Sequence, residues 1–236
     1  MTSPASPRLD DEQQALTSYY DGIAATYDDS RFGNSYGRYL DGQERGLLRR
    51  LLPAAPGARV LDLACGTGRL LSFASLGVDA SAEMLGVARQ RAGDRPLIQA
   101  SATRLPLDDG SLDAVFSLHF FMHLSRPTLD EVLRESHRVL RPGGVLVFDI
   151  PSATRRRLLG QRRSGWHGST SLSFGDVRAA AEPDWQLASR GAVLMLPVHR
   201  LPTRLRAPLR QVDSLLCASP LMPLASYLFV QLRKPG

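Results

Sequence analysis

Residues 60–71 read Val-Leu-Asp-Leu-Ala-Cys-Gly-Thr-Gly-Arg-Leu-Leu, and no other stretch restricts the fold as much. Val60 to Leu63 is apolar, partly β-branched and preceded by the turn pair Pro56 and Gly57, which predicts a short buried strand. Ala64-Cys65-Gly66-Thr67-Gly68 is a turn of small residues, and Arg69, Leu70, Leu71 and Phe73 then predict the opening of a helix. A strand, a tight glycine turn and a helix make the usual entrance of a nucleotide pocket. Glycine tolerates positive φ and, lacking Cβ, lets a ligand come against bare backbone. Asp62 brings a carboxylate to the same crevice. A phosphate loop would need free N–H groups and basic side chains there, so the acid favours a ligand that carries positive charge. The plain alternative is an ordinary strand-to-helix connection with Asp62 as a cap.

The rest of the chain supplies alternating strands and helices. Leu16, Tyr19, Tyr20, Ile23, Ala24 and Tyr27 recur at helical spacing within residues 9–29, with Gly22 as a break. A second helix is predicted over residues 36–52, with Leu40, Leu47, Leu48 and Leu51 on its buried side, Glu44, Arg45, Arg49 and Arg50 elsewhere, and Pro53 as its stop. Strand two ends at Gly77-Val78-Asp79, and Ser81 caps a helix through Met84, Leu85, Val87 and Ala88. Strand three is expected near 97–100 and strand four over 113–118. A helix over 128–140 would begin with a capping box of Thr128 and Glu131 and stop at Pro142-Gly143-Gly144, before strand five at 145–150. Beyond that, residues 174–181 and 202–219 read as helices, and 186–197 and 227–232 as strands. Such alternation predicts an α/β fold with a doubly wound, mostly parallel sheet.

Bulk properties narrow the partners. A chain of 236 residues can bury one good α/β core. No apolar run approaches the roughly 20 residues of a membrane span, and residues 1–7 are Ser/Pro-rich without a secretory core. Cys65 and Cys217 are too few for a disulfide framework, which is consistent with reduced thiols and a cytoplasmic location. The net charge of +6 is almost all arginine, since Lys234 is the only lysine. The cluster Arg155, Arg156, Arg157, Arg162 and Arg163 has no interleaved aromatic residues, so it reads as a solvated face and nucleic acid is not the expected partner.

In an open parallel sheet the ligand lies beyond the carboxyl ends of the strands, where strand order switches. Four such ends carry candidates: 62–68, 79–81, 101–103 and 117–118. A carboxylate after strand two, Asp79, can accept both hydroxyls of a ribose; its plain alternative is a cap or a surface acid. A dinucleotide site would want a third glycine where Leu71 stands, and an acid about 20 residues on, whereas Asp79 follows Gly66 by 13.

The ordered set of motifs resembles one family. Residues 62–68, Asp-Leu-Ala-Cys-Gly-Thr-Gly, look like the first motif of class I S-adenosylmethionine-dependent methyltransferases, with Ala64 where Gly is usual. Residues 77–85, 104–115 and 138–147 resemble its later motifs. Residues 20–28, Tyr-Asp-Gly-Ile-Ala-Ala-Thr-Tyr-Asp, are similar to the N-terminal motif of the ubiquinone/menaquinone-type subgroup. The resemblance covers about residues 18–150 and, more loosely, 226–235. It implies a Rossmann-like seven-stranded sheet with the last strand antiparallel. The chain would then be a single domain: a helical N-terminal cover (8–52), a cofactor-binding core (57–150), and a substrate wall with the last strands (151–236).

Carried over position by position, the resemblance implies a cofactor site for S-adenosylmethionine, with S-adenosylhomocysteine as product. Ala64, Cys65, Gly66 and Gly68 would face its methionine and ribose part, and Asp62 would steer the ammonium. Asp79 would hold the ribose hydroxyls, with Ala80 and Met84 against adenine. Ser101, Ala102 and Thr103 would take the adenine edge, Ser101 standing where the family has Asp. The carbonyls of Ser117 and Leu118 would accept from the ammonium, and Tyr27 and Tyr20 would close over the sulfonium, with plain core packing as their alternative. Arg31 would anchor an acidic group or pair with Asp28.

His119 and His123, just after strand four, are the candidate general bases, a neutral imidazole being suited to proton removal near pH 7. The alternative is that His123 only orders its loop. His167 and His199 fall in the expected substrate wall. No metal is expected. The resulting reading is a small-molecule methyltransferase acting on O or C of an apolar or aromatic acceptor, on the strength of the Leu/Met/Pro-rich segment 196–224. A homodimer is compatible with it. Two rivals remain: an RNA methyltransferase that uses the arginine cluster, and a protein that binds the cofactor for a reaction other than methylation.

Overall fold

The computed structural model describes residues 9–161, 168 and 170–236. His167, Arg162 and Arg163 of the sequence reading lie outside the described residues. A seven-stranded sheet runs in the order β3-β2-β1-β4-β5-β7-β6. Its strands are β1 (Val60–Leu63), β2 (Leu76–Asp79), β3 (Leu97–Gln99), β4 (Leu112–Ser117), β5 (Leu140–Pro151), β6 (Gln186–Val193) and β7 (Tyr227–Arg233). The first five pair in parallel, and the last, β7, is antiparallel to both β5 and β6. Order reverses between β1 and β4, which makes their carboxyl ends the switch point.

The apolar runs place core on both faces. Along β4 and β5 successive residues alternate: Val115, Leu146, Phe148 and Ile150 join one cluster, while Ala114, Phe116, Val145 and Val147 join the other. The first cluster is covered by α5 (Arg126–Val139) through Leu129, Val132 and Leu133, and by α7 (Phe174–Ala181) through Val177 and Ala181. The second is covered by α3 (Ser35–Leu51) through Leu40, Leu47 and Leu48, and by α4 (Ala82–Ala92) through Leu85 and Ala88. Before α3 come α1 (Leu9–Ile23) and α2 (Tyr27–Arg31), and the chain closes with α6 (Ala153–Leu158) and α8 (Thr203–Cys217) around the last strands. No helix among the described residues is long and apolar enough to cross a membrane.

Several local expectations change. The helix after Gly68 is only a short 3-10 turn, Leu71–Phe73, so β1 and β2 are joined almost directly. The helix expected from Thr128 begins at Arg126: Ser125 is its cap, accepting from the Thr128 N–H, and it ends at Val139, before Pro142. Residues 9–29 are interrupted at Ala24–Thr26. Glu44, placed on the polar side of its helix by pattern, is fully buried. Arg155 and Arg156 do not face solvent freely. Arg155 donates to the carbonyls of Met195 and Leu224, and Arg156 to those of Gly168 and Thr170.

The turn after β1 is strained where the sequence departs from glycine. Ala64 has φ +57, a region that costs a side chain about 1 kcal/mol or more, and Gly66 (φ +53) and Gly68 (φ +76) follow. A Cβ on Gly68 would stand 2.7 Å from Leu71 and 3.1 Å from Ala88, so this glycine lets the turn close on α4. Relief of the left-handed strain should exceed the chain-entropy cost of glycine: Ala64→Gly is expected to raise stability by about 0.5–1 kcal/mol. The urea midpoint at unchanged slope measures this.

Candidate active site

The carboxyl ends of β1 to β4 surround one open cleft. Its floor is the Ala64–Gly66 turn. The Cys65 N–H donates to the carbonyl of Val78 (2.9 Å), and the Gly66 N–H to Asp79 Oδ2 (2.7 Å), so the turn is stitched to the end of β2. Asp79 Oδ1 accepts from the Ser81 N–H at 2.9 Å. Burial pushes the Asp79 carboxyl up, against these N–H groups. At Gly66 a Cβ would meet nothing within 4 Å, so its bare backbone faces open space.

Asp62 lines the same cleft. It is 3% exposed, and among the described residues no donor or ion pair reaches its carboxylate. Burial holds its carboxyl well above the ordinary range; Arg69 opposes this and Asp79 adds to it. A buried acid without a partner is unfavourable on its own and is relieved by a cationic ligand.

Of the residues singled out in the sequence, Tyr20, Tyr27, Asp62, Ala64, Cys65, Gly66, Asp79, Ala80, Met84, Ser101, Ala102, Thr103, Leu118, His119 and His123 all line this cleft. Three do not. Gly68 packs beneath the turn, Ser117 is buried within β4 with an unpaired hydroxyl, and Arg31 is exposed. Asp28 does not pair with Arg31; it bonds Thr67 Oγ1 at 2.7 Å and the Arg91 guanidinium. The lining comes from residues 12–132, so among the described residues the C-terminal third supplies none of the wall expected of it.

The two histidines are not free bases. His119 (φ +60) lies between two buried acids. Its Nε2 is 2.6 Å from Glu44 Oε1, its Nδ1 is 3.5 Å from Asp149 Oδ2, and its backbone N–H donates to Asp149 Oδ1 at 2.6 Å. Burial alone would lower its pKa, but Glu44 and Asp149 outweigh burial and hold it above its ordinary value. Both ring nitrogens are turned to carboxylates, so in this arrangement neither is presented to an acceptor in the cleft. Glu44 is also bonded to Arg69 at 2.7 Å, and Arg69 lies 3.8 Å over the Phe32 ring. His123 Nδ1 accepts from the Gly168 N–H at 3.0 Å, which leaves the proton on Nε2 to be donated to Tyr20 Oη at 3.0 Å. Both nitrogens are engaged in fixing the loop and Tyr20.

The roof is α1. Gln13 accepts from Ser101 (2.6 Å), Glu12 accepts from the Ser125 N–H (2.6 Å) and from Thr128 (2.7 Å), and Asp21 accepts from Ser81. Pattern reading missed Glu12, Gln13, Phe32, Glu44, Arg69 and Asp149. The visible signal was Asp149, a single acid inside the apolar run 145–150.

Comparison with known proteins adds the family. Residues 61–148 match the family model described as a methyltransferase domain. Over that stretch, which runs from β1 into β5, the chain is similar to a methyltransferase domain. A demethylmenaquinone methyltransferase of Beutenbergia cavernae is 37% identical over 146 residues, 59% of this chain and 59% of that one. A malonyl-acyl-carrier-protein O-methyltransferase of a Marinomonas species is 36% identical over 148 residues, 57% of this chain and 53% of that one. The chain spans little more than half the length of these relatives. The solved (4+2)-cyclase SpnF shares the fold, with a TM-score of 0.66, 19% identity, and coverage of 94% of this chain and 96% of that one.

Glu44 is the hinge of the buried charges. Because the His119 pKa is raised on folding, its contribution to stability is present below about pH 6.5 and is lost as pH rises through the raised value. Glu44→Gln should move the His119 C2–H titration downward in NMR and cost about 3 kcal/mol in urea unfolding at neutral pH. An unshifted titration would show that Glu44 does not set the charge.

Proposed function

We propose that the protein binds S-adenosylmethionine in the cleft at the ends of β1 to β4 and transfers its methyl group to oxygen or carbon of a small, apolar or aromatic acceptor. The observation that carries this reading is the unpartnered, buried Asp62 carboxylate beside the open backbone of Gly66 and the acceptor oxygens of Asp79. That set suits a ligand with a positive amino acid end, a ribose and a sulfonium. When bound, the cofactor would supply an electrophilic methyl group.

The chain's own residues do the rest. Asp62 would attract the ammonium, Asp79 would accept from the ribose hydroxyls, and Ala80 and Met84 would flank adenine. Tyr20 and Tyr27, ring centroids 5.8 Å apart, present aromatic edges to the cleft. Burial raises both phenols, Tyr27 to about 12, so neither is a phenolate at neutral pH. Alignment of the reacting atoms at about 3–3.5 Å can supply roughly 7–11 kcal/mol, so this chemistry needs positioning more than a base. With the ring nitrogens of His119 and His123 engaged by protein partners, the acceptor would enter already acidic. An apolar acceptor is supported by Phe32, Leu70, Phe120 and Leu124 in the lining and by demethylmenaquinone in the name of one relative. The RNA reading is weakened at two of its five arginines, since Arg155 and Arg156 are spent on internal carbonyls.

Calorimetry with S-adenosylmethionine and S-adenosylhomocysteine tests the reading. A cation relieves the raised Asp62, so affinity should strengthen as pH rises through that group's raised value. Asp62→Asn should flatten this dependence and weaken binding by about tenfold or more, while leaving the ligand-free protein as stable or stabler. No binding by the wild type would refute the proposal. Retention of the labelled methyl group during turnover would leave binding intact and refute transfer.

A further inference from the structure

One face of α1 is turned to the cleft. Gln13, Leu16, Thr17 and Tyr20 stand at positions i, i+3, i+4 and i+7 of the helix, and all four line the hollow. Tyr20 is spent on His123, and Leu16 has nothing to donate. Gln13 is different. Its Oε1 accepts from the Ser101 hydroxyl at 2.6 Å, and its amide nitrogen has no partner among the described residues. The side chain is partly buried, held on one side and open on the other, with two N–H groups and one carbonyl lone pair left for a ligand.

The end of β3 sets its place. The Ala100 N–H donates to the Asp79 carbonyl at 3.1 Å and Gln99 Nε2 to the Ala80 carbonyl at 3.1 Å, so β3 ends stitched beside Asp79 and Ala80. Ser101 follows directly, in a turn closed by the Arg104 N–H on the Ser101 carbonyl (3.1 Å). The Ser101 oxygen accepts from the Thr103 N–H at 3.2 Å. Its one proton goes to Gln13, so in its 2.8 Å contact with the Thr103 hydroxyl the threonine is the donor. Both lone pairs of Ser101 are thus occupied, and it has nothing left for a ligand. What it does is hold the Gln13 carbonyl toward itself, which fixes the way the amide faces.

We propose that Gln13 reads the adenine ring of the cofactor, its amide N–H donating to ring nitrogen N1 and the second lone pair of Oε1 accepting from the 6-amino group, with Ser101 as the positioning residue that holds the amide in this sense. The inference rests on the binding of S-adenosylmethionine proposed above, which puts the ring beside Ala80 and Met84. A carboxamide matches adenine in pairs, donor to acceptor and acceptor to donor. The other end of the ligand is the poorer partner. Asp62, which would take the ammonium, is on β1, and β2 separates β1 from β3 in the sheet. Two strand spacings are about 10 Å, so the amino acid end lies away from Gln13.

Calorimetry of the full chain with S-adenosylhomocysteine and with S-inosylhomocysteine tests it. The 6-oxo ring carries an oxygen in place of the amino group and a hydrogen on N1, so both pairs would meet like to like. The wild type should therefore bind the adenosyl ligand about tenfold or more tightly than the inosyl one. Gln13→Met keeps the bulk and should bring the two affinities nearly level. Gln13→Glu should move the preference toward the 6-oxo ring, because a carboxylate has no hydrogen for N1 of adenine but accepts the N–H of the oxo ring. Ser101→Ala should narrow the preference, since the released amide can turn over. Circular dichroism checks that each variant is folded. A wild type that binds both ligands equally overturns the inference. So does a folded Gln13→Met that weakens both by the same factor, as the loss of a mere helix tie would do. A wild type that binds neither ligand refutes the cofactor reading itself.

Discussion

The structure depends on a reversal of the chain immediately after β1. Three left-handed residues, Ala64, Gly66 and Gly68, turn the backbone within five positions. The turn is held by two bonds to β2, from the Cys65 N–H to Val78 and from the Gly66 N–H to Asp79. Both bonds need β2 as the immediate neighbour of β1, and the short 3-10 connection delivers it there. Asp62 and Asp79 then stand on one cleft because the sheet places two adjacent strand ends side by side.

Charge in this molecule is buried in two opposite conditions. Around Glu44 the ions are paired: His119 and Arg69 hold the Glu44 carboxyl low despite its burial, while burial still raises Asp149 on the other side of the ring. At Asp62 the ion has no such partner, and its carboxyl is raised. A buried network satisfied within the protein stiffens the wall. A buried acid left unsatisfied stores free energy that a cation can release. The wall and the hollow are thus made from the same residue types, distinguished by whether a partner lies within reach.

Much of this was legible in the sequence, for a physical reason. Strand periodicity, glycine turns and caps are local, so the motif at 60–71 and the helices at 35–51, 82–92 and 174–181 could be read where they stand. What escaped reading was nonlocal. Glu44 sits at a helical position that patterning assigns to solvent, and only its meeting with Arg69, 25 residues on, and His119, 75 residues on, makes burial tolerable. Hydrophobic pattern also failed for α8, where Asp213 faces inward to Gln43 and leucines face outward. The segment 196–224, read as a wall of the cleft, instead sends Val198 and Cys217 into the two cores and Leu205, Val212, Leu215 and Leu221 outward.

The roof and the floor of the cleft are held by different forces, which has consequences for access. The floor rests on β1 and β4, whose apolar side chains are fully buried; opening it would expose core at about 25 cal/mol for each Å². The roof, α1, is tied down by Gln13 to Ser101, Glu12 to Ser125 and Thr128, and Tyr20 to His123. Each such bond is worth only about 0.5–1.5 kcal/mol net, because water replaces it on opening. Of the anchors, Ser101, His123 and Thr128 border the cleft itself, so the seam lies at its rim. The rigid part of the site is consequently the backbone cradle, and the yielding part is the helix that covers it.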